Sequence, residues 1–380
     1  MNGKVNELAA SHEKAPVPPL AGTVVLEFGS LVPGPLTSLL LAEAGAQVIK
    51  VERPPMGDAM RSYEPKIGND SVHFHMLNRG KTSIFADLND EADRRAITSW
   101  LERADIMIDQ FRPGVLERLG LGYDHVSSIN PRIIYCSLTG WGQSGPKAKK
   151  AAHDLNFLAE SGHLDLTCGI DGAPVLPPLL AADIAGGVYP AVINILLAYI
   201  QRQVTGKGTH LDIAISDGLM TFHYDALAQA IKMNEWPKRG EGLVTGGSPR
   251  YQLYRTSDGR HMAVAAMEDK FWNNFCDMID LDDPWRDPLS PPEEVKREIM
   301  KRVLARSSGE WRAAMEGKDV CCSIVARLEE AVNDPHNLAR EVIGRQVLTK
   351  AGYIPALPLP IARQFRTESA LESAPEVPQP

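Results

Sequence analysis

Asp183 is a single carboxylate between an apolar run and a glycine pair, in Leu179-Leu180-Ala181-Ala182-Asp183-Ile184-Ala185-Gly186-Gly187, at the head of an apolar helix. Poor solvation there raises a carboxyl pKa and helix-end amides lower it, the opposed pulls that suit a working acid or base. An aspartate at a helix entrance is also a common cap, and taken alone the stretch favours the cap. The balance shifts with His153-Asp154, thirty positions earlier and just after a loop of Gly, Pro and Lys. An imidazole and a working carboxylate can take a proton and return it. A histidine after a lysine-rich loop is more often a surface residue than a base, so the pair needs a scaffold that brings its members together.

The chain around these residues alternates strand and helix. Thr23–Phe28 is a β-branched run closed by Gly29; Leu36–Ala44 follows as a helix and Gln47–Glu52 as a second strand. Lys81–Ala86, Ala104–Asp109, Arg132–Leu138 and His210–Ile215 read as further strands, with an amphipathic helix over Asp90–Glu102. Strands separated by helices predict a parallel sheet in an α/β, Rossmann-like domain. Gly29-Ser30-Leu31-Val32-Pro33-Gly34 has the wrong glycine spacing for a dinucleotide fingerprint, which disfavours a nicotinamide enzyme. Thr139-Gly140-Trp141-Gly142-Gln143-Ser144-Gly145-Pro146 makes an irregular loop at the carboxyl end of a strand, where open α/β sheets place ligands. Ile184–Ile200 carries no charge, but it is short for a membrane span and holds Gly186, Gly187 and Pro190, so a buried core helix is expected.

The expected organisation is a flexible N-terminal tail over 1–17, a large domain over 18–217, a linker helix over 218–235 and a smaller α+β domain over 236–330. The smaller domain opens with a hairpin through Asp258-Gly259. Residues 331–366 then return to the large domain, and 367–380 form a second flexible tail. At 380 residues the chain is long for one core. With 44% hydrophobic and 23% charged residues it has the balance of an ordinary globular protein. A net charge of −8 argues against nucleic acid as a partner. Five cysteines without paired CxxC motifs make neither a zinc site nor a disulfide framework, which points to a reducing, cytoplasmic setting. His73 and His75 lack further ligands at metal spacing, so no metal is expected.

Several separated stretches, in one order from about residue 18 to 366, resemble the family III CoA-transferases, and among them the α-methylacyl-CoA racemases. They are Pro19-Leu20-Ala21-Gly22 with Pro33-Gly34-Pro35, Val51-Glu52-Arg53-Pro54, Asn78-Arg79-Gly80-Lys81, Arg112-Pro113-Gly114, the Thr139–Pro146 loop, His153-Asp154-Leu155-Asn156 and Asp183. The resemblance implies a Rossmann-like CoA-binding domain and a small domain, with two chains interlocked as a homodimer. It also implies an acyl-CoA thioester as substrate and no separate cofactor.

Two reactions share that family. In the transferases an aspartate matching Asp183 attacks the thioester and carries CoA between carboxylic acids. In the racemases the matching aspartate exchanges the α-proton opposite a histidine, and His153 matches that histidine. A thioester α-proton is weakly acidic, so inversion needs a base on each face and donors for the enolate oxygen. His153 and Asp183 supply the bases, and Asp154 orients the imidazole or offers its N–H to the enolate. Glu268 matches a small-domain glutamate that reaches the histidine of the partner chain. Arg53, Arg79, Lys81 and Arg112 match the family's CoA contacts; without the resemblance all four read as solvated surface charge. The expected activity is therefore inversion of 2-methylacyl-CoA by 1,1-proton transfer, with CoA transfer as the alternative enzyme and a CoA-ester binding protein as the non-enzymatic one.

Overall fold

A computed structural model describes residues 17–169, 171–366 and 371–377. The tail expected over 1–17 lies outside these except for Val17, as do 367–370 and 378–380 of the C-terminal tail. The described residues form two compact units. One takes the chain up to Lys149, Gly187–Ala214 and the chain from Val342; the other takes Lys150–Gly186 and Ile215–Glu341.

In the first unit, β1 (Val24–Phe28), β2 (Gln47–Glu52), β3 (Thr82–Phe85), β4 (Ile106–Asp109), β5 (Ile134–Thr139) and β6 (Thr209–Ala214) make one parallel sheet in the order β3-β2-β1-β4-β5-β6. The β-branched runs end up there because both faces are covered: Val25, Leu26, Ile106, Met107 and Ile108 are fully buried. Helix α1 (Pro33–Glu43) starts on Pro33, whose missing N–H costs nothing in a first turn. Helix α2 (Val72–Asn78) is capped by Ser71, and α3 (Glu91–Leu101) by Asp90, which accepts from the N–H groups of Ala92 and Asp93. Strand order reverses between β1 and β4, and a crevice opens there beyond the carboxyl ends of the strands.

The second unit holds helix α4 (Asp154–Glu160), helix α5 (Tyr224–Met233) and an antiparallel sheet of β7 (Tyr251–Arg255), β8 (His261–Ala265) and β9 (Cys322–Ile324) in the order β9-β8-β7. The Asp258-Gly259 hairpin closes with Thr256 N–H donating to Arg260 O at 2.9 Å, Gly259 supplying φ +79°. Helices α6 (Asp269–Met278) and α7 (Pro292–Leu304) bury Trp272, Phe275 and Ile299 with Tyr254, Met262 and Trp311 in a separate core.

Three details differ from the sequence reading. Lys150–Gly186 packs with the second unit rather than the first, because Gly218 lies against Gly186 so closely that a Cβ on it would meet Gly186 O at 2.1 Å. The return to the first unit begins at Val342, not 331; there β10 (Gln346–Thr349) pairs antiparallel with β11 (Gly352–Pro355). Part of the expected flexible C-terminal tail forms β12 (Leu371–Ser373), parallel to β10. The apolar helix is also less buried than expected. Its run from Ala182 to Thr205 is long and apolar enough to cross a bilayer. Instead Ala191, Ile195, Ala198 and Arg202 hold it to the first unit, where the Arg202 guanidinium meets the Asp105 carboxylate at 2.9 Å. Ile193, Leu197, Ile200 and Val204 remain exposed as an apolar stripe on the other side.

Candidate active site

Asp183 sits at the start of a π-helical turn, Ala182–Val188, that runs into the long helix Tyr189–Thr205. Such wide turns recur at functional sites. The glycines permit this one: a Cβ on Gly186 would meet Ile215 O at 2.7 Å. Asp154, buried in the first turn of α4, accepts the N–H of Asp183 on Oδ1 at 2.8 Å, and that of Ala182 also reaches its carboxylate. Asp154 therefore caps a helix distant in sequence, which brings two carboxyls together. Burial, and then the charge of Asp154, push the Asp183 carboxyl up to about 7. Burial also raises Asp154, against the two amides that favour its charged form.

His153 is the residue just before α4. Its backbone N–H donates to Asn156 Oδ1 at 3.0 Å, and its side chain is exposed. The chain neighbour of His153 thus holds the backbone of Asp183, so the backbones at the two residues belong to one hydrogen-bonded frame. The expectation that the Asp154 side chain orients the imidazole is not met; its carboxylate is spent on the amides of residues 182 and 183. Glu268 precedes α6, and among the described residues no hydrogen bond or ion pair joins it to His153 or Asp183.

The four expected CoA cations divide. Arg53 and Arg112 are exposed. Arg53 borders the switch-point cleft, a cavity of about 230 Å³ walled by Gly29, Ser30, Gly57, Asp58, Gln110 and Phe111. Arg79 and Lys81 turn inward instead and are corrected to structural roles. Arg79 is 2% exposed and donates to Glu43 Oε2 at 2.9 Å. Lys81 spends its Nζ donors on Glu27 Oε2 at 2.9 Å, Pro35 O at 2.8 Å and Asn78 Oδ1 at 3.0 Å.

Beneath the cleft lies a buried network absent from the sequence reading. Lys50 Nζ contacts Glu27 Oε1 and Asp58 Oδ2, each at 2.8 Å, and donates to Gly29 O at 2.8 Å. Asp58 in turn accepts the Leu31 N–H at 3.2 Å, and Gln110 Oε1 accepts those of Ser30 at 3.2 Å and Gly34 at 3.0 Å. The loop after β1 is thereby fixed from three sides. The signal was present as Glu27 and Lys50, charged residues flanked by buried apolar neighbours inside their strands.

The raised Asp183 pKa carries a stability prediction. A carboxyl that binds its proton more tightly folded than unfolded lowers stability as pH climbs from its usual 3.8 toward about 7, because its ionised form is the one the fold disfavours. Asp183→Asn removes that penalty. The variant is expected to melt above the wild type at pH 8, with the difference shrinking or reversing at pH 5, in paired thermal melts.

One unit thus carries a doubly wound sheet with a cleft at its switch point, and the other a desolvated carboxylate. The chain belongs to CoA-transferase family III, whose family model matches residues 20–379. It is 33% identical to the human alpha-methylacyl-CoA racemase over 325 residues, 84% of this chain and 81% of that one. It is 31% identical to the acetyl-CoA:oxalate CoA-transferase of Acetobacter aceti over 337 residues, 86% of each. Among solved structures, a CAIB/BAIF family protein from Brucella suis superposes with a TM-score of 0.79 at 28% identity, covering 94% of this chain and 96% of that one. Overall identity does not choose between isomerase and transferase, and the choice falls to the site.

Proposed function

We propose that the protein inverts the α-carbon of 2-methylacyl-CoA thioesters by 1,1-proton transfer, Asp183 and His153 serving as the two bases. The carrying observation is the shared frame: a carboxyl raised to about 7 whose backbone is held by the residue next to His153. A carboxylate of that basicity accepts a carbon-bound proton better than an ordinary aspartate at neutral pH. One base removes the proton, the electrons move onto the thioester oxygen as an enolate, and the other base returns a proton to the opposite face. With the Asp154 side chain occupied, its backbone N–H is the donor left for the enolate oxygen. Arg53 and Arg112, as the exposed pair, are assigned to the CoA phosphates.

The test against the alternative is CoA exchange. With 2-methylacyl-CoA and free oxalate or succinate, the reading predicts no new CoA ester and no hydroxylamine-trapped adduct at Asp183. Transfer to the acid together with that adduct would establish a nucleophilic carboxylate.

Asp154→Asn separates the charge of Asp154 from its hydrogen bonds. The amide oxygen still accepts from the helix N–H groups, but the negative neighbour that raises Asp183 is gone. In the direction in which Asp183 removes the proton, activity falls as pH drops through the Asp183 pKa. The variant is expected to move that acid limb to lower pH, read from kcat/KM profiles.

A homodimer belongs to the same proposal, supported by the exposed stripe Ile193, Leu197, Ile200 and Val204. The five free thiols support a reducing compartment.

A further inference from the structure

Residues 371–377 are not needed to complete the sheet of the first unit, yet their contacts gather in one place. Strand β12 pairs with β10, Gly80 N–H donates to Ser373 O at 3.0 Å, and Glu372 approaches Arg79 Nε at 3.6 Å. Beyond the strand, Arg61 Nη2 donates to Pro375 O at 3.1 Å and Glu376 O at 3.4 Å. The same Nη2, together with Nε, grips Glu52, Nε to Oε2 at 2.8 Å and Nη2 to Oε1 at 2.7 Å, and Cζ lies 3.7 Å from the centre of the Phe74 ring. Arg61 is 5% exposed, so its place is set by these acceptors.

That pair supports the cleft wall. Glu52 Oε2 accepts the Asp58 N–H at 2.7 Å, and Gly57 lies against the ion pair so tightly that a Cβ would meet Glu52 Oε2 at 2.4 Å and Arg61 Nε at 3.0 Å. Gly57 and Asp58 border the same cavity as Arg53. The chain thus runs from terminal carbonyls through Arg61 and Glu52 to the wall beside a surface arginine. We propose that the C-terminal segment is a clasp that positions the Arg53–Asp58 wall for the CoA moiety, with Arg61 as the positioning residue; this rests on the reading of the cleft as the CoA site.

The test is a double-mutant cycle read by calorimetric titration with coenzyme A and by steady-state kinetics. A chain ending at Ser373 is expected to bind coenzyme A about tenfold more weakly, the effect of losing one charged hydrogen-bonded support, with kcat within about twofold of wild type. In an Arg61→Lys background, which keeps the charge and loses the fork, the same truncation is expected to add nothing further. Should the shortened chain fail to fold, Glu372→Ala in the full-length protein loosens the same strand and is expected to weaken coenzyme A binding in the same sense. Wild-type affinity in the shortened chain or in Glu372→Ala, or a full truncation penalty persisting beside Arg61→Lys, overturns the clasp. A wild-type protein that does not bind coenzyme A overturns the cleft assignment and the clasp together, whereas one that binds it while the variants are unaffected overturns the clasp alone.

Discussion

If the protein inverts an α-carbon as proposed, His153→Ala and Asp183→Asn are each expected to lower that rate by about 10³-fold, within the range for removing one positioned proton-transfer group, while affinity for the CoA ester stays within about twofold. On that reading each substitution deletes the base on one face and leaves Arg53 and Arg112 in place. The two effects are not additive, because inversion fails once either face lacks its base. The double variant is therefore expected to be little slower than either single one. Circular dichroism and titration with a non-reacting CoA ester separate this loss from misfolding. Asp183→Asn is informative here because it is expected to be folded, and at pH 8 more stable than wild type. His153→Ala retaining most of its activity would remove the two-base assignment.

Glu27→Ala is the substitution expected to cost most stability. Burial pulls the Glu27 carboxyl upward, but Lys50 and Lys81 outweigh it and hold its pKa at about 2. Its two oxygens are shared among Lys50, Lys81 and the Ser38 hydroxyl, the last at 2.6 Å. Removing the carboxylate leaves two ammonium groups in the core with Asp58 as the remaining nearby counter-charge, and breaking a buried pair in this way costs about 3–5 kcal/mol. Urea unfolding is the measurement, and a loss below about 1 kcal/mol, the size of an exposed pair, would show that the network is solvated in solution. Because Lys50 also holds Gly29 O, the surviving folded fraction is expected to bind CoA esters less tightly.

The sheet was legible because its strands are short β-branched runs bounded by Gly and Pro, and burial on both faces leaves little else such runs can form. Asp183 and His153 were singled out by their setting and by the family pattern, whereas the bond that ties the two segments together was not readable. It runs through a side chain to a backbone amide twenty-nine positions away, and no local spacing reports such a bond. Arg79 and Lys81 misled for a related reason. A basic residue beside glycine looks like a phosphate ligand, and only the fold reveals Glu43 and Glu27 waiting beneath it. The long helix misled in the opposite sense, since an uncharged run does not say which of its faces is covered. The C-terminal strand was hidden by composition: residues after Thr367 are poor in apolar side chains, and β12 is held largely by backbone pairing and by Glu372.

On the proposed reading Asp183 moves a proton rather than attacking the thioester carbonyl. The most direct measurement is incubation of one epimer of a 2-methylacyl-CoA with the enzyme in deuterium oxide, the α-carbon followed by proton NMR and mass spectrometry. Proton transfer predicts loss of the α-proton signal, one deuterium per molecule and approach to an equal mixture of epimers, the inversion abolished by Asp183→Asn. Retention of the α-proton and of the starting configuration, with CoA passed to an added carboxylic acid, would contradict it.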